Sequence, residues 1–300
     1  MTETRALGGR YRLDEVIGTG GMARVWRAYD TVLDREVAVK MLTAEHSADP
    51  VAYHRARNEA RFNARLAHPN VAAVYDFGTS RRAGQGAAYL VMELVEGPLL
   101  SDYLQRGPLD WGFAARVCAE VAAGLSAAHT RGIVHRDIKP ANVVLTRAGA
   151  KLLDFGIATT AGEPDHTPEG EILGTVAYMA PERLDSLPTA PSIDVYALGV
   201  VLYRCLTGLL PWPADTDDEL LDSHQNHPPA PLPLIDGIAP EVVDICMASL
   251  RKDPASRPTS VAFALILAAA ADAQVYIPPV VAPPPARPRS GIDTPERLAI

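Results

Sequence analysis

The chain has 300 residues, 48% hydrophobic and 21% charged, enough for two sizeable lobes or one large domain with an ample core. Its formal net charge of −8 argues against a nucleic-acid partner, which usually needs a basic face. Cys118, Cys205 and Cys246 lie in apolar segments without CxxC spacing, the pattern of buried thiols in a reducing compartment rather than of metal ligands or disulfides.

The opening MTETRALGGRYRLDEV lacks the apolar region of a secretory signal. The longest apolar run, Val261 to Ala271, is too short to span a bilayer. A soluble, cytoplasmic protein with no membrane span is expected. Lysine is scarce: Lys40, Lys139, Lys151 and Lys252 stand among 28 basic residues, so a lysine in a special place is informative.

In chain order, Arg10 to Ile17 reads as a strand, the glycines of GTGG as a turn, and Ala23 to Tyr29 as a second strand. EVAVKML follows as a short β-rich run, and Ala48 to Leu66 has helical spacing that ends at HPN. Val71 to Gly78 and Ala88 to Val95 read as two more strands. From Leu99 onward the pattern is helical, including Trp111 to Thr130, Ile193 to Gly208, Glu241 to Leu250 and Ser260 to Ala273. The expectation is an α+β chain: a small β-rich lobe over 11–95, a larger helical lobe over 96–273, and a proline-rich flexible tail over 274–300.

Several stretches stand out chemically. GTGGMARV is either a plain glycine turn or a hairpin tip whose backbone amides approach a phosphate without a Cβ in the way. A dinucleotide fingerprint is disfavoured, because Ala23 stands where a third glycine is needed and RVWRAYD reads as a strand. Ala38 and Lys40 share one strand face, while Val37, Val39 and Met41 share the other, which suits a core. Lys40 then either snorkels from the strand end or stands beside a flat ring and phosphates. Glu59 falls on the helix face of Ala52, Ala56, Asn63 and Leu66, where an unpaired carboxylate is costly. Its partner is Lys40 or a surface arginine among Arg55, Arg57 and Arg61. HRDIKPAN, His135 to Asn142, places two cations, an anion and an amide between apolar segments.

GTGGMARV, VAVK, HRDIKPAN, LLDFG and GTVAYMAPE occur in the order of the protein-kinase signature set, and the chain from Tyr11 to Ala273 resembles a bacterial, actinobacterial-type serine/threonine protein kinase. The resemblance implies a bilobal kinase fold. It implies a phosphotransferase that uses ATP with Mg²⁺ or Mn²⁺ to phosphorylate Ser/Thr hydroxyls of protein substrates, and that autophosphorylates. By this resemblance Asp137 orients and deprotonates the attacking hydroxyl, Lys139 sits by the γ-phosphate, and Asn142 and Asp154 hold the metal. His135 is structural, packing near Phe155. Lys40 pairs with Glu59 and the phosphates, beneath the loop of Ile17, Gly18, Gly20 and Gly21. Met92 guards the back pocket. The Glu93 carbonyl and Val95 amide hold adenine, with Val25, Ala38 and Val144 sandwiching its ring.

Lys139 and Thr175 match serine/threonine rather than tyrosine kinases, Glu182 and Arg257 match a buried ion pair, and Asp194 matches an anchor for the catalytic-loop backbone. Arg136 before Asp137 implies activation-loop phosphorylation, with Thr167, Thr159 and Thr160 as candidate sites and Glu169 or Glu171 as a partial phosphate substitute. Two residues depart from the family pattern: Ala23, and Asn63 where an apolar residue is usual. The alternative is a pseudokinase scaffold that binds ATP without catalysis, which the presence of Lys40, Glu59, Asp137, Asn142 and Asp154 argues against. A small-molecule phosphotransferase is disfavoured by GTVAYMAPE. Some family members dimerise through the small lobe, which the resemblance leaves open here.

Overall fold

The computed structural model describes residues 6–20, 23–43, 57, 60–61, 64, 66–82, 85–153, 159–160, 176–185 and 187–278. Six strands form the small lobe: β1 (Ala6–Leu7), β2 (Tyr11–Thr19), β3 (Ala23–Asp30), β4 (Arg35–Leu42), β5 (Val74–Arg82) and β6 (Gln85–Met92). They make one sheet in the order β1-β2-β3-β4-β6-β5, with every neighbour pair antiparallel. The alternation in β4 decides which face is covered by what. Val37 and Val39 pack with Tyr11, Ala28, Tyr89 and Val91, with Met41 at the margin. Ala38 points the other way, to Ala60, Leu90 and Met92, with Val25, Phe77 and Leu94 around it.

The strands expected over 71–95 differ in their bounds from the sequence reading. β5 runs Val74–Arg82 rather than Val71 to Gly78, and β6 runs Gln85–Met92 rather than Ala88 to Val95. The backbone at 70–72 is taken by the large lobe instead: the Leu152 amide donates to Asn70 O at 2.8 Å and the Ala72 amide to Leu152 O at 3.0 Å. The helix expected over Ala48 to Leu66 lies mostly outside the described residues; Arg57, Ala60 and Arg61 are helical.

The large lobe opens with α1 (Leu100–Leu104) and α2 (Trp111–His129), then the short strands β7 (Ile133–Val134), β8 (Val143–Thr146), β9 (Gly149–Leu152) and β10 (Thr159–Thr160). It continues with α3 (Ser192–Thr207), α4 (Asp217–Asn226), α5 (Pro240–Ser249) and α6 (Ser260–Ala270). The sequence reading had only helices here; strands of two to four residues are too short to show a period. Asp110 caps α2 by accepting the Phe113 amide at 3.0 Å. From Val117 to Ala128 every residue of α2 is buried, and its many alanines let α3 and α6 pack against it. At Gly124 an added Cβ would stand 3.0 Å from Val71 and 3.1 Å from Asn70 O, so the small residue lets the helix touch the interlobe segment. Cys118, Cys205 and Cys246 are free and buried, as expected.

Residue 274 opens the stretch expected to be flexible, yet the chain through residue 278 is packed. Val275 and Ile277 lie against the large-lobe core, and the ring nitrogen Nε2 of His68 is 2.8 Å from Tyr276 O. The apolar residues that precede the prolines explain the difference. Among the described residues no helix is long and apolar enough to cross a membrane.

Candidate active site

Strand β7 feeds the stretch around His135, and Asp194, in the first turn of α3, fixes its course. The Asp194 carboxylate is fully buried and accepts the amides of His135 and Arg136, each at 2.8 Å. His129 Nε2 approaches Oδ2 at 2.8 Å. Burial alone would push the Asp194 pKa up; the hydrogen bond and charge of His129, with the His135 contacts, outweigh it and hold it below its ordinary value. Arg136 has φ +70°, a costly conformation for a side chain with a Cβ. Its amide is held by Asp194, and its carbonyl accepts from Arg183 Nη1 at 3.0 Å.

His135 braces the next residue. Its Nδ1 accepts the Asp137 amide at 3.2 Å and its Nε2 lies 3.1 Å from Leu153 O. Those partners require a neutral ring with the proton on Nε2. The imidazole therefore ties the Asp137 backbone to the residue before Asp154.

On the side chain of Asp137, donors converge on Oδ2: Lys139 Nζ at 2.7 Å and Asn142 Nδ2 at 3.0 Å. The same Nδ2 reaches Asp137 O at 2.7 Å, and the Asn142 carbonyl accepts the Leu153 amide at 2.8 Å. Asp137, Lys139 and Asn142 thus form one cluster at the end of β7.

The small lobe supplies the facing wall. Val25 stands opposite Lys40 across the β3–β4 ladder, Lys40 opposite Leu90, and Ala38 opposite Met92. Gly18 pairs with Val25, a register shift separates Val16 from Gly18, and the Gly20 amide donates to Ala23 O at 2.9 Å, so the tip folds over the end of β3. Ile17 is largely exposed beside it. Below the sheet, Val144 is buried on β8. Between the lobes runs the segment 93–97: the Glu93 amide donates to Ala73 O at 2.8 Å, and Val95 is half-buried. Gly97, at φ +151°, leaves no room for a Cβ against Leu145 O, so the end of this segment lies directly on β8.

Gly21, Glu59, Asn63, Asp154, Phe155, Thr167, Glu169, Glu171 and Thr175 lie outside the described residues. Thr159 and Thr160 form β10, which pairs with β7 through Thr159 to Val134 and Thr160 to Ile133. Arg257 meets Glu182 with two hydrogen bonds of 2.6 and 2.8 Å, and also donates to the carbonyls of Arg251, Ser192 and Lys252.

The protein kinase domain family matches residues 11–270. The chain belongs to the protein kinase family. It is 43% identical over 254 residues to serine/threonine-protein kinase PknA of Mycobacterium tuberculosis, covering 84% of this chain and 58% of that protein. It is 42% identical over 253 residues to serine/threonine-protein kinase PknH of Mycobacterium bovis (83% of this chain, 42% of PknH). It is 40% identical over 254 residues to serine/threonine-protein kinase drp72 of Corynebacterium efficiens (84% and 48%). The chain therefore spans about half the length of these relatives.

Of the two expected metal ligands, Asn142 lies among the described residues, and its chemistry fits a hard divalent cation. With its amide nitrogen spent on Asp137, Asn142 retains a carbonyl oxygen, the ligand type Mg²⁺ prefers. Among the described residues no three His, Cys, Asp or Glu side chains gather as a metal cage. Sequence reasoning missed Arg183, whose guanidinium supports the Arg136 carbonyl, and Lys151, which meets the Glu93 carboxylate. The scarcity of lysine was the available signal for the second; nothing local marked the first.

Proposed function

We propose that this chain is an ATP-dependent protein serine/threonine kinase that acts on protein substrates and phosphorylates its own activation loop. The cluster of Asp137, Lys139 and Asn142 on one carboxylate oxygen is the observation that supports this most. With Oδ2 engaged by Lys139 and Asn142, Asp137 accepts the hydroxyl proton of a Ser or Thr at Oδ1 as the oxygen attacks the γ-phosphorus and the bond to ADP breaks. Lys139 then serves the transferring phosphoryl group as a compact cation. Asn142 and Asp154 would hold Mg²⁺ or Mn²⁺, which neutralises charge on the phosphate oxygens. Lys40 engages the phosphates from β4 with Glu59 as its partner, and Thr175 shapes the acceptor groove. The adenine ring lies between Val25 and Ala38 above and Val144 below, against Met92, with its edge on the backbone of Glu93 and Val95.

Thr167 is the preferred autophosphorylation site. Thr159 and Thr160 have their backbone in a ladder with β7, which a substrate segment entering another active site would have to leave. We also infer a small-lobe homodimer, because Val32 and Leu33 project from the β3–β4 turn at 69% and 55% exposure. Sedimentation of Leu33→Glu against wild type tests it. A cytoplasmic location is supported by three free, buried thiols.

The deciding experiment incubates wild type and Asp137→Asn with ATP and either metal, and maps phosphosites by mass spectrometry. Phosphothreonine at 167 in wild type alone is the expected result. ATP binding with no phosphate in either protein would replace the kinase with a nucleotide-binding scaffold.

A further inference from the structure

Two of the four lysines, Lys40 and Lys139, belong to the active site just described. Lys151 does not, although arginine supplies nearly all other positive charge in this chain. It lies on β9, three residues before Asp154, and its ammonium reaches both oxygens of Glu93, at 2.5 and 2.7 Å. The two side chains are 20% and 26% exposed, so water screens the pair less than it would on an open surface. Glu93 Oε2 also accepts the Ala73 amide at 3.2 Å.

The position of this pair gives it a consequence. Lys151 is the cross-strand partner of Val144, so the two side chains rise from the same face of the β8–β9 hairpin. Val144 is the proposed floor of the adenine slot, and the backbone of Glu93 is the start of its edge. The hairpin and the interlobe segment are joined at two places. At one end the join is backbone: Gly97 lies on Leu145 O, the Leu145 amide donates to Pro98 O at 2.9 Å, and Leu99 bridges to Val144. At the Glu93 end the side-chain tie comes from Lys151.

We propose that Lys151 is a positioning residue for the adenine base. Its ion pair with Glu93 sets the spacing between the interlobe segment and Val144, and therefore the fit of the ring, without touching nucleotide or acceptor. This rests on the kinase reading above for the place of the adenine. The pair acts on nucleotide affinity and leaves phosphoryl transfer from bound ATP alone, because the cluster at Asp137 is held separately by Asp194 and His135.

The test uses the full chain with Lys151→Met, Glu93→Gln, and the single and double charge reversals Glu93→Lys and Lys151→Glu. Steady-state kinetics give the KM for ATP, the KM for the protein acceptor and kcat; calorimetry gives ATP affinity without turnover. Each single variant should weaken ATP about fivefold in both KM and dissociation constant, and Lys151→Met should keep kcat and acceptor KM within about twofold. The double reversal should regain most of the loss. Unchanged ATP affinity in the single variants, or a double reversal no better than the worse single, overturns the proposal. So does a matched fall in kcat and thermal stability with ATP affinity intact, which is the mark of a merely structural pair. If wild type binds ATP but transfers no phosphate, the kinase reading fails, while a calorimetric loss in Lys151→Met still upholds the positioning role.

Discussion

The Asp194 carboxylate accepts the amide of Arg136 at 2.8 Å, and Arg136 is one of three non-glycine residues with positive φ among those described. The residue that immediately precedes Asp137 is thus held in a strained conformation by a buried anion from α3. Asp194→Asn keeps the size but replaces an acceptor oxygen by a donor facing backbone N–H groups. We expect a stability loss of about 3 kcal/mol and a fall in kcat larger than any change in the KM for ATP. Urea unfolding and steady-state kinetics check both. Preserved kcat would show that Asp137 finds its place without this anchor.

Arg257 and Glu182 form a second buried relationship. The arginine side chain is fully buried and the carboxylate nearly so, and three backbone carbonyls complete the guanidinium's shell. Arg257→Ala strands the carboxylate and should cost roughly 3–5 kcal/mol, visible as a lower urea midpoint. Adding Glu182→Gln should recover part of that loss, since the stranded charge is gone. Additive losses would mean that the carbonyl contacts of Arg257, and not its pairing, carry the effect.

His224 gives stability a pH dependence. Its ring is buried on α4, with Nδ1 2.7 Å from the Tyr196 hydroxyl and the ring tilted at 53° to Trp212, 4.5 Å between centroids. Burial, and then the nearby charge of Lys252, lower its pKa to about 4. Unfolded, it titrates near 6.5, so between about 6.5 and 4 the unfolded chain takes up a proton that the folded chain refuses. The stabilisation is complete above that window and is lost as the pH falls through it. The melting temperature should therefore decline from pH 7 to 4.5, and His224→Gln should flatten the decline even if it lowers stability throughout. His68, also lowered by burial, adds to the slope with the same sign, so the difference between the two proteins is the quantity to measure. Equal slopes would exclude His224 as a source.

Much of this was legible in the sequence, because the readable features are local. The alternation Val37, Ala38, Val39, Lys40 announced two differently covered faces, and the sheet buries Val37 and Val39 on one side and Ala38 on the other. HRDIKPAN, polar between apolar neighbours, announced a built site, and the structure brings Asp137, Lys139 and Asn142 together. The resemblance carried two distant contacts, Glu182 with Arg257 and Asp194 with the catalytic-loop backbone; what could not be read are the distant contacts that neither local pattern nor resemblance marks. Lys151 and Glu93 are separated by 58 positions, Arg183 and Arg136 by 47, and no period or spacing marks either pair. The start of β5 was misplaced for a related reason. Val71 has the composition of a strand, but its backbone neighbourhood is claimed by Leu152 from the other lobe.

The segment after α6 yields the last prediction. Val275 and Ile277 pack on the large-lobe core, while Tyr276 O lies 2.8 Å from Nε2 of His68. Nδ1 of the same ring accepts the Asn70 amide at 3.1 Å, and Asn70 O in turn accepts the Leu152 amide at 2.8 Å. Residues 275–277 therefore brace the loop that β9 leans on. A chain ending at Ala273 forfeits two apolar side chains and the His68 contact, and should be less stable by about 2 kcal/mol than one ending at Pro278. Hydrogen exchange at the amides of Leu152 and Leu153 should accelerate in the shorter chain, because those amides bond to Asn70 and Asn142. Tyr276→Ala in the longer chain keeps the backbone carbonyl and should retain most of the protection. If both truncated chains unfold at the same urea concentration with equal exchange, the domain ends at α6 and the segment beyond it braces nothing.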